Sequence, residues 1–208
     1  MDQKSHWEKI YQSKSHTEVS WFAEHVVTSL ELIGKTGLPK SASIVDVGGG
    51  ASTLVDDLWS DGYRDITVID LSKTALEIAQ KRLGQAAQSV RWLDADILKT
   101  DFQGRAFDLW HDRAVFHFLT EDPLRQAYKA QLIRHVSPTG YVVMSLFAED
   151  GPEKCSGLVV QRQSGEDLVR FFGAGFEKVF ESKTIHVTPS QVEQRFLNIV
   201  FKRVAELA

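Results

Sequence analysis

Apolar residues recur along the chain with two periods that alternate. Short β-branched runs, SIVDV at 43–47, DITVID at 65–70, SVRWL at 89–93, FDLWH at 107–111 and GYVVMSLF at 140–147, read as strands. Between them, Ser52 to Trp59, Ser72 to Leu83 and Thr120 to Val136 place apolar side chains at helical spacing, as with Leu76, Ala79 and Leu83. Ser72 stands as a helix cap and Gly84 as a stop, while Thr120 leads into Glu121, Asp122 and Pro123, an acidic first turn with an early proline. This alternation predicts parallel strands joined by right-handed helical crossovers.

The pattern changes toward the C-terminus. A short helix at about 164–172 is followed by GFEKVFESKTIHV, a Thr-Pro-Ser turn and QRFLNIVFKRV. Two long strands so close together leave no room for a crossover helix, so they should pair as an antiparallel hairpin. The expected fold is α/β: a Rossmann-like, doubly wound seven-stranded sheet with a reversed last strand (a β6/β7 hairpin) and helices on both faces. Ahead of the first strand, HWEKIY and SWFAEHVVTSLELIG read as helices. No repeat or linker divides the sequence, so 1–208 reads as a single domain, with residues 1–40 as N-terminal helices covering the site and 41–208 as the core.

Composition narrows the function. Of 208 residues 43% are apolar and 25% charged, with a net charge of −4, and the lysines and arginines are scattered, which speaks against a nucleic-acid partner. The opening MDQKSHWEKIYQ lacks an apolar signal-like run, and no apolar stretch reaches the roughly 18 residues of a membrane span, so the expectation is a cytoplasmic protein with no membrane partner. A single cysteine, Cys155, excludes an intrachain disulfide and a multi-cysteine zinc site.

The most informative stretch is IVDVGGGAST at 44–53, where a strand ends in Asp46 and runs through Gly48, Gly49 and Gly50 into a helix. Glycine permits positive φ and lets a ligand approach the backbone, although such a turn can also be a mere tight connection. The next strand ends in Asp70, about 20 residues on, where a carboxylate can accept from both ribose hydroxyls. In LDADI, Asp96 is a candidate acceptor for an adenine amine with Ile97 against the ring, and Asp94 is a weaker one; both acids also read as solvated loop charges. A dinucleotide fingerprint requires glycine where Thr53 stands, which weakens an NAD reading.

These residues resemble the motifs of the seven-stranded, class I S-adenosylmethionine-dependent methyltransferases: DVGGGAS the first, VIDLS the second, DADI the third and GYVVMSLF the fifth strand. The resemblance runs from about residue 40 to the end, in the family's order. It implies S-adenosylmethionine as cofactor, with Asp46, Gly48, Gly49 and Gly50 at the methionine end, Asp70 and Leu71 at the ribose, Asp96 and Ile97 at the adenine, and His111 as a further contact. Ser52 replaces a glycine common in the family, and its hydroxyl is expected to help cap the following helix. WHDRAVFHFLTED resembles the Asp-Lys-Gly-Thr-type motif of a group of protein lysine methyltransferases and their unassigned bacterial relatives, with Asp112, Arg113, Ala114 and Val115 in the corresponding places. Lys-Gly-Thr has become Arg-Ala-Val, which leaves the acceptor open.

Methyl transfer from a sulfonium is a direct displacement: it requires alignment, removal of a proton where the nucleophile carries one, and no metal. Asp112 ends a central strand over the expected cleft and is the candidate to orient or deprotonate the acceptor, unless it caps a helix or pairs with Arg113. His111 and His117 are candidate bases near neutral pH or packed side chains. Trp21, Phe22, Arg113, His117 and Arg162 are the candidate substrate contacts, although Trp21 and Phe22 equally read as hydrophobic staples and Arg162 as a solvated rim charge. Cys155 reads as an ordinary loop thiol. The expected function is methyl transfer to a small polar molecule or a protein side chain; the alternatives are an NAD-dependent oxidoreductase and a non-catalytic cofactor-binding partner subunit.

Overall fold

Strand β1 (Ser43–Val47) lies inside a seven-stranded sheet, and the chain order follows from its neighbours. With β2 (Asp65–Asp70), β3 (Arg91–Asp94), β4 (Phe107–Arg113), β5 (Val136–Phe147), β6 (Phe176–Val187) and β7 (Glu193–Arg203), the order across the sheet is β3-β2-β1-β4-β5-β7-β6. The first five strands are parallel, and β7 runs antiparallel to both β5 and β6. The expected doubly wound sheet with a reversed last strand is the one found. The computed structural model describes residues 3–13, 15 and 17–204.

Alternation along the strands divides the core into two layers. Val45, Val47, Trp110 and Met144 pack with Tyr128 and Leu132 of α5 (Asp122–His135) and with Leu168 and Phe172 of α6 (Gly165–Phe172). On the opposite face, Ile44, Val68, Leu109 and Val143 meet α2 (Val27–Lys35), α3 (Leu54–Ser60) and α4 (Lys73–Leu83). Cap chemistry sets the helix ends: Ser72 accepts from the Ala75 amide at 3.1 Å and Gly84 closes α4 at φ 63°, while Ser164 and Asp167 form a reciprocal capping box on α6.

Three boundaries differ from expectation. The helix expected over SWFAEHVVTSLELIG begins only at Val27, because Asp57 captures the preceding chain, bonding His25 Nδ1 at 2.7 Å and the Val26 amide at 3.2 Å. β4 extends through Arg113, and β5 starts directly after α5 at Val136. In the loop after β5, Lys154–Cys155 pairs with Leu158–Val159 in a small hairpin whose turn residues Ser156 and Gly157 both have positive φ, as a type I′ turn requires. The first helix, α1 (Gln3–Ser13), lies against α4 beside the carboxyl ends of the strands.

Candidate functional site

The strand order reverses between β1 and β4, and ligands of open α/β sheets bind at such a switch point. Gly48 and Gly50 follow β1 there with φ of 66° and 45°. A Cβ on Gly50 would lie 2.9 Å from Asp70 Oδ2 and 3.1 Å from Tyr11 Oη, so only glycine fits. Arg82 of α4 pins the end of the turn, donating to the Ala51 carbonyl at 2.9 Å and the Ser52 carbonyl while pairing with Asp56 at 2.7 Å. Ser52 Oγ accepts from the Leu54 amide at 3.2 Å, so the hydroxyl meets the first turn of α3.

A cleft of about 860 Å³, open mouth included, runs along this switch point, a size suited to a nucleoside-sized ligand. Gly48, Asp70, Leu71, Asp96 and Ile97 all line it. Asp70 Oδ1 accepts from the Ser72 amide at 2.7 Å, and among the described residues Oδ2 has no donor. Burial, reinforced by the charges of Asp46, Asp94 and Glu8, pushes the Asp70 carboxyl from 3.8 up to about 7. A buried acceptor aimed into a cleft and missing its donor is what a vicinal diol fits. Asp96 Oδ1 accepts from Leu98 at 2.9 Å, and its other oxygen lies 3.3 Å from Lys99. Asp94 instead pairs with Lys4 at 2.6 Å and does not line the cleft.

The other end of the cleft is aromatic. Trp7 and Tyr11 of α1, Trp21 and Phe118 line it, with Trp7 edge-on to Trp21 and to Phe118 at centroid distances of 5.7 and 5.1 Å. Trp21 Nε1 donates to Tyr11 Oη at 3.1 Å. Arg113 and Cys155 complete this end. Phe22 lines a separate hollow with Ala51, Ser52 and Thr53, into which Arg113 also reaches.

Asp112, His111, His117 and Arg162 do not line the cleft, and strand alternation turns the first two to opposite faces of β4. Asp112 is fully buried on the α5 face, where its carboxylate accepts from the Tyr128 hydroxyl and from the Val115 and Phe116 amides at 2.9 and 3.1 Å. It caps the turn after β4, and burial pushes it up to about 6 against those hydrogen bonds. His111 points the opposite way, held by Asp46 Oδ1 at 2.7 Å and Ser29 Oγ at 2.9 Å. It braces the glycine turn through Asp46, whose carboxylate lies under Gly49, and does not line the cleft. His117 is fully buried against Phe118 and Phe147, burial holds it down at about 3, and it does not line the cleft. Arg162 does not reach the cleft; it bonds Glu153 and the Gly151 carbonyl, each at 3.4 Å.

Comparison with known proteins agrees with this geometry. A family model described as a methyltransferase domain matches residues 44–140, the segment from β1 into β5 that contains the glycine turn and both cleft carboxylates. Residues 44–140 carry a methyltransferase domain, in a chain with the fold of the class I, S-adenosylmethionine-dependent methyltransferases. Human EEF1A lysine methyltransferase 2 is 24% identical over 196 residues, covering 87% of this chain and 77% of its own. The mouse eEF1A lysine and N-terminal methyltransferase is 26% identical over 117 residues; the match covers 56% of this chain and only 16% of that much longer protein. In fold, the methyltransferase domain is similar to the N-methyltransferase NodS of Bradyrhizobium japonicum bound to S-adenosyl-L-homocysteine (TM-score 0.72, 17% identity, 97% of this chain and 99% of that one). It is also similar to the 1,6-didemethyltoxoflavin-N1-methyltransferase of Burkholderia thailandensis (TM-score 0.69, 19% identity, 97% and 84% covered).

The sequence reading expected N-terminal helices over the site but named none of the first helix's residues in the methyltransferase cleft. Gln3, Trp7 and Tyr11 recur at four-residue spacing on one face of α1 and all line the cleft. That spacing was visible, but what docks α1 was not: Glu8 accepts from Ser72 Oγ at 2.8 Å and from the Thr74 hydroxyl, across more than sixty residues of chain.

Proposed function

We propose that the protein transfers the methyl group of S-adenosylmethionine to a small-molecule acceptor whose nucleophile arrives with a free lone pair, as a neutral amine or a thiolate. In this reading Asp70 would accept from the ribose hydroxyls, Asp96 from the adenine amine with Ile97 against the ring, and Gly48 and Gly50 leave room for the methionine end. The sulfonium supplies an electrophilic methyl carbon, and the task of the residues is to hold a nucleophile in line with it.

The make-up of the acceptor end carries the proposal. Among the described residues, no carboxylate or imidazole lines it: Asp112, His111 and His117 are buried elsewhere. The two weak acids present do not serve as bases near neutral pH, because burial raises the Cys155 thiol to about 11 and the Tyr11 phenol well above its ordinary range. What remains is an aromatic enclosure suited to aligning a flat or apolar acceptor. The chain is read as one domain working in the cytoplasm, and among the described residues no helix is long and apolar enough to cross a membrane.

A protein lysine is the second reading, favoured by the names of the relatives in sequence. The test is transfer of tritiated methyl from S-adenosylmethionine into a cell extract divided into small-molecule and macromolecular fractions. Label in the small-molecule fraction is expected; label confined to protein would overturn the proposal in favour of lysine or another side chain.

A further inference from the structure

We infer that the methyl acceptor carries a carboxylate and that Arg113 receives it at the aromatic end of the cleft, as the residue that sets acceptor specificity; the inference rests on the methyl-transfer reading above. Among the described residues that line the cleft, Arg113 is the sole cation, and it stands there with Trp21, Phe118 and Cys155. Its guanidinium lies over the ring of Phe196, 5.8 Å from the centroid, and Phe196 packs with Phe147 and Cys155.

The charge of Arg113 has no partner at that end. Nη1 donates to the Trp21 carbonyl at 2.9 Å, which aims the side chain, and no ion pair joins the guanidinium to a described carboxylate. Burial works against the charge, and Asp46, the first of the groups that favour it, is itself held by His111 Nδ1 at 2.7 Å. A guanidinium among aromatic rings with N–H groups unfilled is costly until an anion arrives. Its planar fork matches both oxygens of a carboxylate.

Charge balance assigns that anion to the acceptor. Asp70 and Asp96 belong to the nucleoside end, so the sulfonium of S-adenosylmethionine would face an enclosure that already holds one positive charge and, among the described residues, no negative one. The cofactor's amino-acid group carries both signs and adds no net charge to offset it. One carboxylate balances one guanidinium, whereas a doubly charged phosphate would exceed it. The rings of Trp7, Trp21 and Phe118 supply flat surfaces for the rest of the acceptor. The carboxylate takes no part in bond making: the nucleophile's lone pair joins the methyl carbon, the methyl–sulfonium bond returns its electron pair to sulfur, and an amine acceptor releases its proton to water.

Benzoate and benzamide match in shape and differ in charge. Titrated by calorimetry into the protein saturated with S-adenosylhomocysteine, benzoate should bind at least about tenfold more tightly. Arg113→Met should remove that preference, Arg113→Lys should keep part of it, and both variants should hold S-adenosylhomocysteine within about twofold of the unaltered protein. Benzoate that binds no better than benzamide, or a preference that survives Arg113→Met, would overturn the inference. So would a parallel loss of S-adenosylhomocysteine in the Met variant, which assigns Arg113 to the cofactor or to the fold. If that variant does not fold, the extract assay still decides: the labelled small molecule should gain mass on esterification, and a product without a carboxylate contradicts the inference. Failure of the unaltered protein to bind S-adenosylhomocysteine would sink the cofactor reading and the inference with it, a result distinct from a missing anion preference in the loaded protein.

Discussion

Asp46 and His111 stand opposite each other on adjacent strands, and imidazole Nδ1 meets carboxylate Oδ1 at 2.7 Å beneath the glycine turn. The pairing ties β4 and α2 to the loop that faces the cleft, since His111 Nε2 continues to Ser29 Oγ. Replacing His111 by Gln should therefore act on stability and on cofactor binding and leave the pH dependence of transfer alone. Urea denaturation should register a loss of about 1–3 kcal/mol, the usual effect of disturbing a buried charged hydrogen bond. An intact fold with normal cofactor affinity and a pH profile that has lost a limb would instead make His111 a base.

Asp70 links cofactor affinity to pH. Ribose hydroxyls donate to the carboxylate form, so binding should strengthen as pH rises through about 7 and level off above it. Calorimetry between about pH 6 and pH 8 should register close to a tenfold gain in affinity, absent in Asp70→Asn. Folding responds with the opposite sign. The native carboxyl titrates near 7 and the unfolded one near 3.8, so the native state holds the extra proton between those values and this group's stability contribution is lost as pH rises across that window. Asp70→Asn should accordingly flatten the pH dependence of stability in the absence of ligand; a variant whose denaturation curve follows the parent's pH dependence would contradict the assignment.

Ala114 has φ 66°, in the left-handed region, held by the hydrogen bond its backbone N–H donates to the Ser145 carbonyl at 2.9 Å. A Cβ in that region is unfavourable, and the motif this segment resembles has glycine there. Ala114→Gly should stabilise the fold by about 0.5–1 kcal/mol, readable as a higher denaturation midpoint. A lower midpoint would mean that the methyl group's packing beside Phe118 outweighs the backbone strain.

The roof depends on Glu8. Its carboxylate accepts from Ser72 Oγ at 2.8 Å and from the Thr74 hydroxyl, and the Ser72 and Thr74 hydrogen bonds hold its pKa below the usual carboxylate value although partial burial opposes them. Glu8→Ala should loosen α1, with faster hydrogen exchange over Gln3–Ser13 and quicker dissociation of S-adenosylhomocysteine in stopped flow. Unchanged exchange would show that the contacts of Trp7 and Tyr11 alone hold the helix.

The β4 segment separates what the sequence reveals from what it hides. Phe107–Trp110 announce a buried strand, and the strand is there. A parallel strand covered on both faces has no polar side, however, so the polarity of His111 and Asp112 did not say which would meet the cleft. Neither does, because one enters the α2 layer and the other the α5 layer. The glycine turn and the acid that faces it were legible because Gly48, Gly50 and Asp70 follow directly from local chain geometry. Arg82 on the glycine turn and Glu8 on α4 depend on contacts between residues distant in sequence, which local pattern does not encode.

The central claim is that this cleft binds the adenosyl cofactor through Asp70, and calorimetric titration with S-adenosylhomocysteine tests it most directly, with NAD as control and Asp70→Ala alongside. The account predicts micromolar binding of S-adenosylhomocysteine, none of NAD, and loss of binding in a variant that remains folded. Binding that survives Asp70→Ala, or NAD bound in place of the sulfur nucleoside, would contradict it.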